Sequence, residues 1–471
     1  MYLLATTGRM ALVCSGSHER VVVMPSVTTV PGRWPLVGHS VKLLRAPVEF
    51  LASLPANGDV VKVFLGPLPV HVVTSPALAL ELLASDKFDK GIVFDKMRPL
   101  FGNGLATSNG AFNQRQRRMM LPAFSRARVS TYAENVITTL ATELRDSWHD
   151  GQRLEVDALM QDFVMTVAGR TLFSAELGQE VLTEVKRSIP IMLKHVLVRA
   201  FSPGFVEKLP LRANREFDEA AARLREVIPA VVLNAREEGA DHGDLLSALL
   251  AARDADTGEA MTDEQVTDEV VTILTTGAET TAVALAWFFH EVGTRPAVRR
   301  RFHAEVDAVL GDRPATFADV AELEYTGRII NEVLRRTPPV ILMRRAREDV
   351  EIGGVLVPKG SEIAVSQHTL HRDPRWFPDP DGFDPDRWEP ERAAKLPKGA
   401  FIPFGAGSRF CPGHFLAHTE IAIAAATIAT RWDLVPVAGQ RVYAQVKATM
   451  QPNQLPMVAR RRNQTQRKPQ A

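Results

Sequence analysis

Cysteine is nearly missing. Cys14 and Cys411 are the only two in 471 residues, so a disulfide framework is excluded and a reducing, cytoplasmic setting is the natural expectation. Net charge is also scarce: 56 Lys plus Arg against 55 Asp plus Glu leave +1, and no global field that would draw nucleic acid. No run approaches the roughly 18 consecutive apolar residues of a membrane span. The short apolar clusters of the first 30 residues are broken by Arg9, His18, Glu19 and Arg20, so residues 1–30 read as an unstructured extension rather than a signal peptide. Internal repeats and low-complexity linkers are lacking. Gly405-Ala406-Gly407 is not a dinucleotide fingerprint, because Phe410 stands where the third glycine is needed. His290-Glu291 lacks the second histidine of a zinc protease, and Cys411 with His414 and His418 lacks a second cysteine pair for zinc.

What is present is apolar and helical. Hydrophobic residues make up 45% of the chain, ample for a buried core. Residues 59–74 read as two strands around the Gly66-Pro67 turn, and strand-like pieces return at 349–365. From about residue 131 to 310 helical periodicity dominates. The expectation is a mainly α fold with a small β-sheet region: one large domain over 31–458, an extension before it, and a basic polar tail at 459–471, taken as disordered.

One cysteine stands where a helix is about to begin, in Phe404-Gly405-Ala406-Gly407-Ser408-Arg409-Phe410-Cys411-Pro412-Gly413. At a helix N-terminus a thiol faces unpaired N–H groups and the positive end of the dipole, and both favour the thiolate. Pro412 suits a first helical position, and the glycines supply positive φ and a flat backbone. A lone cysteine is otherwise most often a small buried hydrophobe.

A second constellation lies in residues 262–294, where Thr262 and Gln265 form a capping-box start. Thr276-Gly277-Ala278-Glu279-Thr280-Thr281 sits in the middle. Glycine and hydroxyl residues there loosen the backbone ladder, and Thr272, Thr276 and Thr280 fall on one i, i+4 row beside the carboxyl of Glu279. Threonines that merely bond back to their own turn would give the same spacing. Farther on, Glu332 and Arg335 lie three apart on one helical face, a spacing that most often marks a surface ion pair.

Taken in order, these motifs closely resemble those of the cytochrome P450 family. Phe404, Gly407, Arg409, Cys411 and Gly413 fill its haem-ligating signature. Glu279 and Thr280 fill the acid and alcohol positions of its oxygen-binding helix. Glu332 and Arg335 match its Glu-x-x-Arg helix, and Arg387 the end of its Pro-x-x-Phe-x-Pro-x-Arg segment. The resemblance covers roughly residues 31–458. It implies the family's fold, haem b (iron protoporphyrin IX) with Cys411 as metal ligand, and a monooxygenase that uses O2. It implies proton delivery by Glu279 and Thr280, and a structural network of Glu332, Arg335 and Arg387. Cofactor contacts are implied for Arg117, Arg344 and Arg409, and for Asn113, which stands where the family usually has Trp or His.

Arg115, Arg117, Arg118, Arg126 and Arg128 form a basic run that, on the thiolate side, would dock an acidic electron carrier; no electron-supplying module is apparent, so a ferredoxin with its reductase is expected. Pro31 to His39, Phe88 to Gly91 and Arg115 to Arg118 resemble actinobacterial terpenoid oxygenases of the pentalenene type, which implies a hydrophobic terpenoid of secondary metabolism. Phe94, Met97, Phe101, Thr272, Thr276, Val340, Ile341 and Met450 are the implied substrate contacts. A peroxygenase, an isomerase or a noncatalytic haem protein are the alternatives.

Overall fold

Val60–Leu65 (β1) and Leu68–Val73 (β2) pair antiparallel around Gly66, whose φ of +60° makes the reversal, as the sequence predicts. The computed structural model describes the chain except residues 1–4, 7–8, 11–26, 174–177, 202–205, 339–340, 447–448 and 463–471. Both faces of this hairpin are covered. Val61, Val63, Val70 and Val72 pack with Phe50, Leu51 and Leu54, while Val60 and Val73 join Leu82, Leu83 and Phe88. Valine-rich strands buried on two sides behave this way because β-branched side chains fill a pleated surface well. Leu342–Ala346 (β3) and Glu362–Val365 (β4) extend the sheet to the order Thr28–Thr29, β1, β2, β4, β3, Phe88–Lys90, with β2 and β4 parallel. Thr28–Thr29 therefore belongs to the sheet, so order begins before the expected boundary at residue 31. Within the expected extension Ala5–Thr6 pairs with Arg9–Met10. These strands lie in the compact unit formed by Met1–Val93, Val340–Asp381 and Leu396–Phe410.

The second unit comprises Phe94–Pro339, Gly382–Lys395 and Cys411–Ala471. Four of its helices carry the chemistry: Gly110–Met120 (α1), Asp263–Thr294 (α2), Glu324–Arg336 (α3) and His414–Ala429 (α4). The capping box that starts α2 is present. Thr262 Oγ1 accepts from Gln265 N at 3.2 Å, and Thr262 N donates to Gln265 Oε1 at 3.0 Å. At 1.5 Å per residue α2 is about 48 Å long. It packs against Val156–Leu172, α3, α4 and a hairpin of Ala444–Val446 (β5) and Met450–Pro452 (β6). By length and composition α2 is apolar enough to cross a membrane, with mean hydropathy 1.3 over its best window, yet 78% of that window is buried inside the protein. It is a core helix by packing.

The helical stretch expected from 131 to 310 is interrupted by Gln152–Glu155, an outer strand of a small sheet with Pro456–Arg461 and Trp432–Pro436. This corrects the expected tail. Pairing of Trp432 with Arg461, and an Arg462 Nη2 to Asp307 Oδ2 contact of 2.7 Å, order the chain to residue 462. Residues 463–471 lie outside the described residues.

Candidate active site

The first unit holds glycines and buried cations. Gly405 and Gly407 have φ of +75° and +68°, and a Cβ on Gly407 would lie 2.3 Å from Leu83 O, so no other residue fits there. Phe404 and Phe410 flank this turn with ring centroids 6.5 Å apart. Arg344 on β3 is 5% exposed, and its Nη1 donates to Met343 O at 2.9 Å. Burial, and then the charge of Arg409, push its pKa down to about 10. Arg409 is itself lowered by burial, with Asp89 partly offsetting. Among the described residues no carboxylate pairs with Arg344. A desolvated guanidinium facing a like charge is costly until an anion arrives, and the carboxylates of an iron porphyrin would supply one.

The second unit holds the thiol. Here the sequence expectation is corrected twice. α4 begins at His414 with Gly413 as its cap at φ −82°, so Pro412 precedes the helix and Gly413 does not use positive φ. Burial pushes the Cys411 thiol above its ordinary value, and the N–H of Gly413, the charge of Arg117 and the N–H of His414 recover only part of that. Desolvation outweighs the helix terminus, so the free thiol is not a ready thiolate. Arg117 on α1 is lowered by burial and supported by the Cys411 charge. Among the described residues it has no carboxylate partner either. A metal deprotonates a coordinating thiol outright, so Cys411 suits an iron ligand better than a free nucleophile. Within each unit the residues present suit a haem: Cys411 with the desolvated Arg117 beside it in the second, and the desolvated Arg344 and Arg409 in the first.

Asn113 does not join them. It is buried, and its amide donates to Leu105 O at 3.1 Å and Ser108 Oγ at 2.9 Å, which spends both hydrogens on the 105–108 loop. The neighbouring basic run is largely paired. Arg115 pairs with Asp254 at 3.2 Å and Glu259 at 3.3 Å, Arg118 with Asp256 at 2.8 Å, and Arg128 with Asp241 at 3.6 Å. Arg126 lies over Phe317 and Phe415 at 5.4 and 5.6 Å. Acids remote in sequence thus neutralise a face that looked uniformly basic.

Midway along α2 an open patch appears. Thr276, Gly277 and Thr280 are exposed although Thr275, Ala278, Glu279 and Thr281 around them are buried, and a Cβ on Gly277 would meet nothing within 4 Å. The Thr276 hydroxyl donates to Thr272 O at 2.7 Å and the Thr280 hydroxyl to Thr276 O at 2.9 Å. These are back-bonds along one row, and each oxygen keeps lone pairs to accept from a guest. Glu279 is 4% exposed, with Oε1 accepting from Thr449 Oγ1 at 2.7 Å and Gln451 Nε2 at 2.9 Å.

Glu332, Arg335 and Arg387 come together as expected, and more tightly than a surface pair. Glu332 and Arg335 are both 0% exposed, and Arg387 Nε lies 3.4 Å from Glu332 Oε1. Trp388 Nε1 and Asp384 N also donate to Glu332, each at 3.0 Å.

Of the expected pocket residues, Phe94, Met97 and Ile341 are part-exposed and Thr276 exposed, whereas Phe101 (1%), Thr272 (6%) and Met450 (2%) are packed. Met450 instead accepts from Trp287 Nε1 through its carbonyl at 2.7 Å. Val340 lies outside the described residues. Sequence reasoning missed Trp388, Thr449, Gln451 and the acids at 254–259. Trp388, beside Arg387, was the one within reach of the motif.

Comparison with known proteins gives one consistent answer. The family profile described as Cytochrome P450 matches residues 29–457. Cyclooctat-9-en-7-ol 5-monooxygenase of Streptomyces melanosporofaciens is 44% identical over 91% of this chain and 94% of that protein. Pentalenene oxygenase of Streptomyces avermitilis is 35% identical over 88% and 94%. The crystal structure of the cytochrome P450DA heme domain is similar at a TM-score of 0.85 and 27% identity, covering 94% of this chain and 99% of that one. A profile spanning almost the whole chain, over a site that fits a haem iron, shows that this protein belongs to the cytochrome P450 family of haem-dependent monooxygenases.

Proposed function

We propose that this monooxygenase inserts one atom of O2 into a C–H or C=C bond of a cyclic terpenoid of secondary metabolism. In this reading haem b is ligated by Cys411, and electrons come from a ferredoxin and its reductase in the cytoplasm. The substrate class rests on the likeness to proteins named for cyclooctatenol and pentalenene oxidation. The observation that carries the chemistry is the open patch on α2, hydroxyl-lined and backed by a buried carboxyl, in a helix otherwise packed as core.

When bound, the haem iron supplies dioxygen activation. The chain supplies the rest. Arg117, Arg344 and Arg409 would hold the propionates and regain by ion pairing what their burial costs. Thr280 presents an oxygen that accepts a hydrogen bond while its own O–H donates to Thr276 O. Glu279 holds and passes a proton. Phe94, Met97 and Ile341 offer apolar surface to an apolar guest. A peroxide-driven or rearranging enzyme would not need the acid and alcohol together, which disfavours that alternative. The test is reconstitution with a ferredoxin, its reductase and isotopically labelled dioxygen against a panel of cyclic terpenes and terpene alcohols. One labelled oxygen atom per product molecule is expected. No labelled product from any panel member, with correctly loaded enzyme, would contradict the proposed substrate class.

A further inference from the structure

Both hydrogen bonds to the Glu279 carboxyl fall on a single oxygen. Thr449 Oγ1 and Gln451 Nε2 donate to Oε1 at 2.7 and 2.9 Å, whereas Oε2 has no protein donor among the described residues. Thr449 immediately precedes β6 and Gln451 lies within it, and both side chains reach the same carboxyl oxygen of Glu279. Residues 449–451 are tied to α2 at a second point, where Trp287 Nε1 donates to Met450 O at 2.7 Å, two helical turns beyond Glu279. Glu279 and Thr449 are 7% exposed or less, so water does not readily replace these bonds.

A carboxylate oxygen that already accepts two hydrogen bonds has both in-plane lone pairs filled and is the poorer site for a proton. We propose that Thr449 and Gln451 are positioning residues that restrict the transferable proton of Glu279 to Oε2. The hairpin thereby fixes which carboxyl oxygen takes a proton from water and hands it on. No electrons move and no bond to carbon changes in this step: an O–H bond forms at Oε2 as one in a solvent hydronium breaks and leaves water, and at delivery the Oε2–H bond breaks as an O–H bond forms on the acceptor oxygen. The inference rests on the proposed proton-delivery role of Glu279 and goes beyond it by naming what orients the acid.

Two measurements on the full chain test it, using T449S, T449V, Q451L, the double variant T449V/Q451L, E279A and E279Q. In the apoprotein, amide hydrogen exchange at residues 444–446 and 449–452 should accelerate about tenfold in E279A and in the double variant, because each removes the hydrogen bonds that tie these residues to α2. In the loaded enzyme, product formed per reducing equivalent should fall about tenfold in the double variant, with an altered solvent isotope effect, and T449S should restore it to within about twofold of wild type. If E279Q retains the wild-type yield, the role of Glu279 is wrong and the proposal falls with it. If E279Q loses yield while the double variant keeps wild-type yield and isotope effect, Glu279 stands and the positioning proposal is overturned. Unchanged exchange in E279A and the double variant would overturn it independently, by showing that the hairpin is not held through this carboxyl.

Discussion

Arg335 donates from Nε and Nη2 to the two carboxylate oxygens of Glu332, at 2.9 and 2.8 Å, and neither side chain is exposed at all. The planar fork matches the carboxylate, and Arg335 Nη2 also reaches Gly382 O at 3.0 Å. Removing the acid leaves the Arg335 charge buried without the carboxylate it forks onto. E332A should therefore lower unfolding free energy by about 3–5 kcal/mol, with R335K also destabilising because an ammonium cannot fill both oxygens. Urea unfolding of the apoprotein measures this. A loss under about 1 kcal/mol would make the pair no stronger than an exposed one.

Arg344 should behave in the opposite sense. It is a buried cation with no carboxylate partner among the described residues and a like charge nearby, so R344M is expected to leave the apoprotein as stable as wild type or more so. The same change should weaken haem retention. Unfolding of the apoprotein and a haem-transfer assay on the holoprotein read the two halves separately. A strongly destabilised R344M apoprotein would mean that Arg344 is a structural residue rather than a cation waiting for an anion.

Cys411 should be slow to alkylate. Burial raises its pKa, and Arg117 is one of the groups that lower it. In the apoprotein of a C14S background, the pH dependence of alkylation should lie above that of a free thiol and move higher still in R117A. A thiol that reacts as a low-pKa nucleophile would restore the view that the helix terminus dominates.

Glu420 gives a pH dependence. It is enclosed in α4, its Oε1 has no hydrogen-bond partner among the described residues, and burial alone pushes its pKa up to about 8. A raised acid favours the protonated folded state, so the stability it permits is intact below the unfolded pKa, near 4.5. It is lost progressively as pH rises toward 8, at no more than about 1.4 kcal/mol per pH unit. E420Q cannot ionise and should flatten that slope. Equal pH slopes for E420Q and wild type between those limits would show that the carboxyl is not titrating late.

Local chemistry explains which parts of this molecule were legible in its sequence. The capping box of Thr262 and Gln265, and the turn at Gly66, are decided within four residues, and both stand where the sequence puts them. The cysteine loop was legible as a motif and misread as electrostatics: a helix terminus is visible in the order of residues, whereas the desolvation that outweighs it is not. The basic run on α1 was misread for a related reason, since the acids that neutralise Arg115 and Arg118 are more than 130 residues away. Asn113 looked like a ligand contact because its actual partners, Leu105 O and Ser108 Oγ, belong to a loop with no sequence signature. Thr449 and Gln451 meet Glu279 across 170 and 172 residues, and nothing in an isolated Thr-Met-Gln announces that.

Cys411 is the residue proposed to hold the haem iron through its sulfur. Carbon monoxide added to the dithionite-reduced holoprotein tests it most directly. The expected result is the strongly red-shifted Soret band of a thiolate-ligated haem carbonyl, lost in a C411A variant that still folds. A haem-loaded, correctly folded protein without that shifted band, or a C411A variant that keeps it, would contradict the claim.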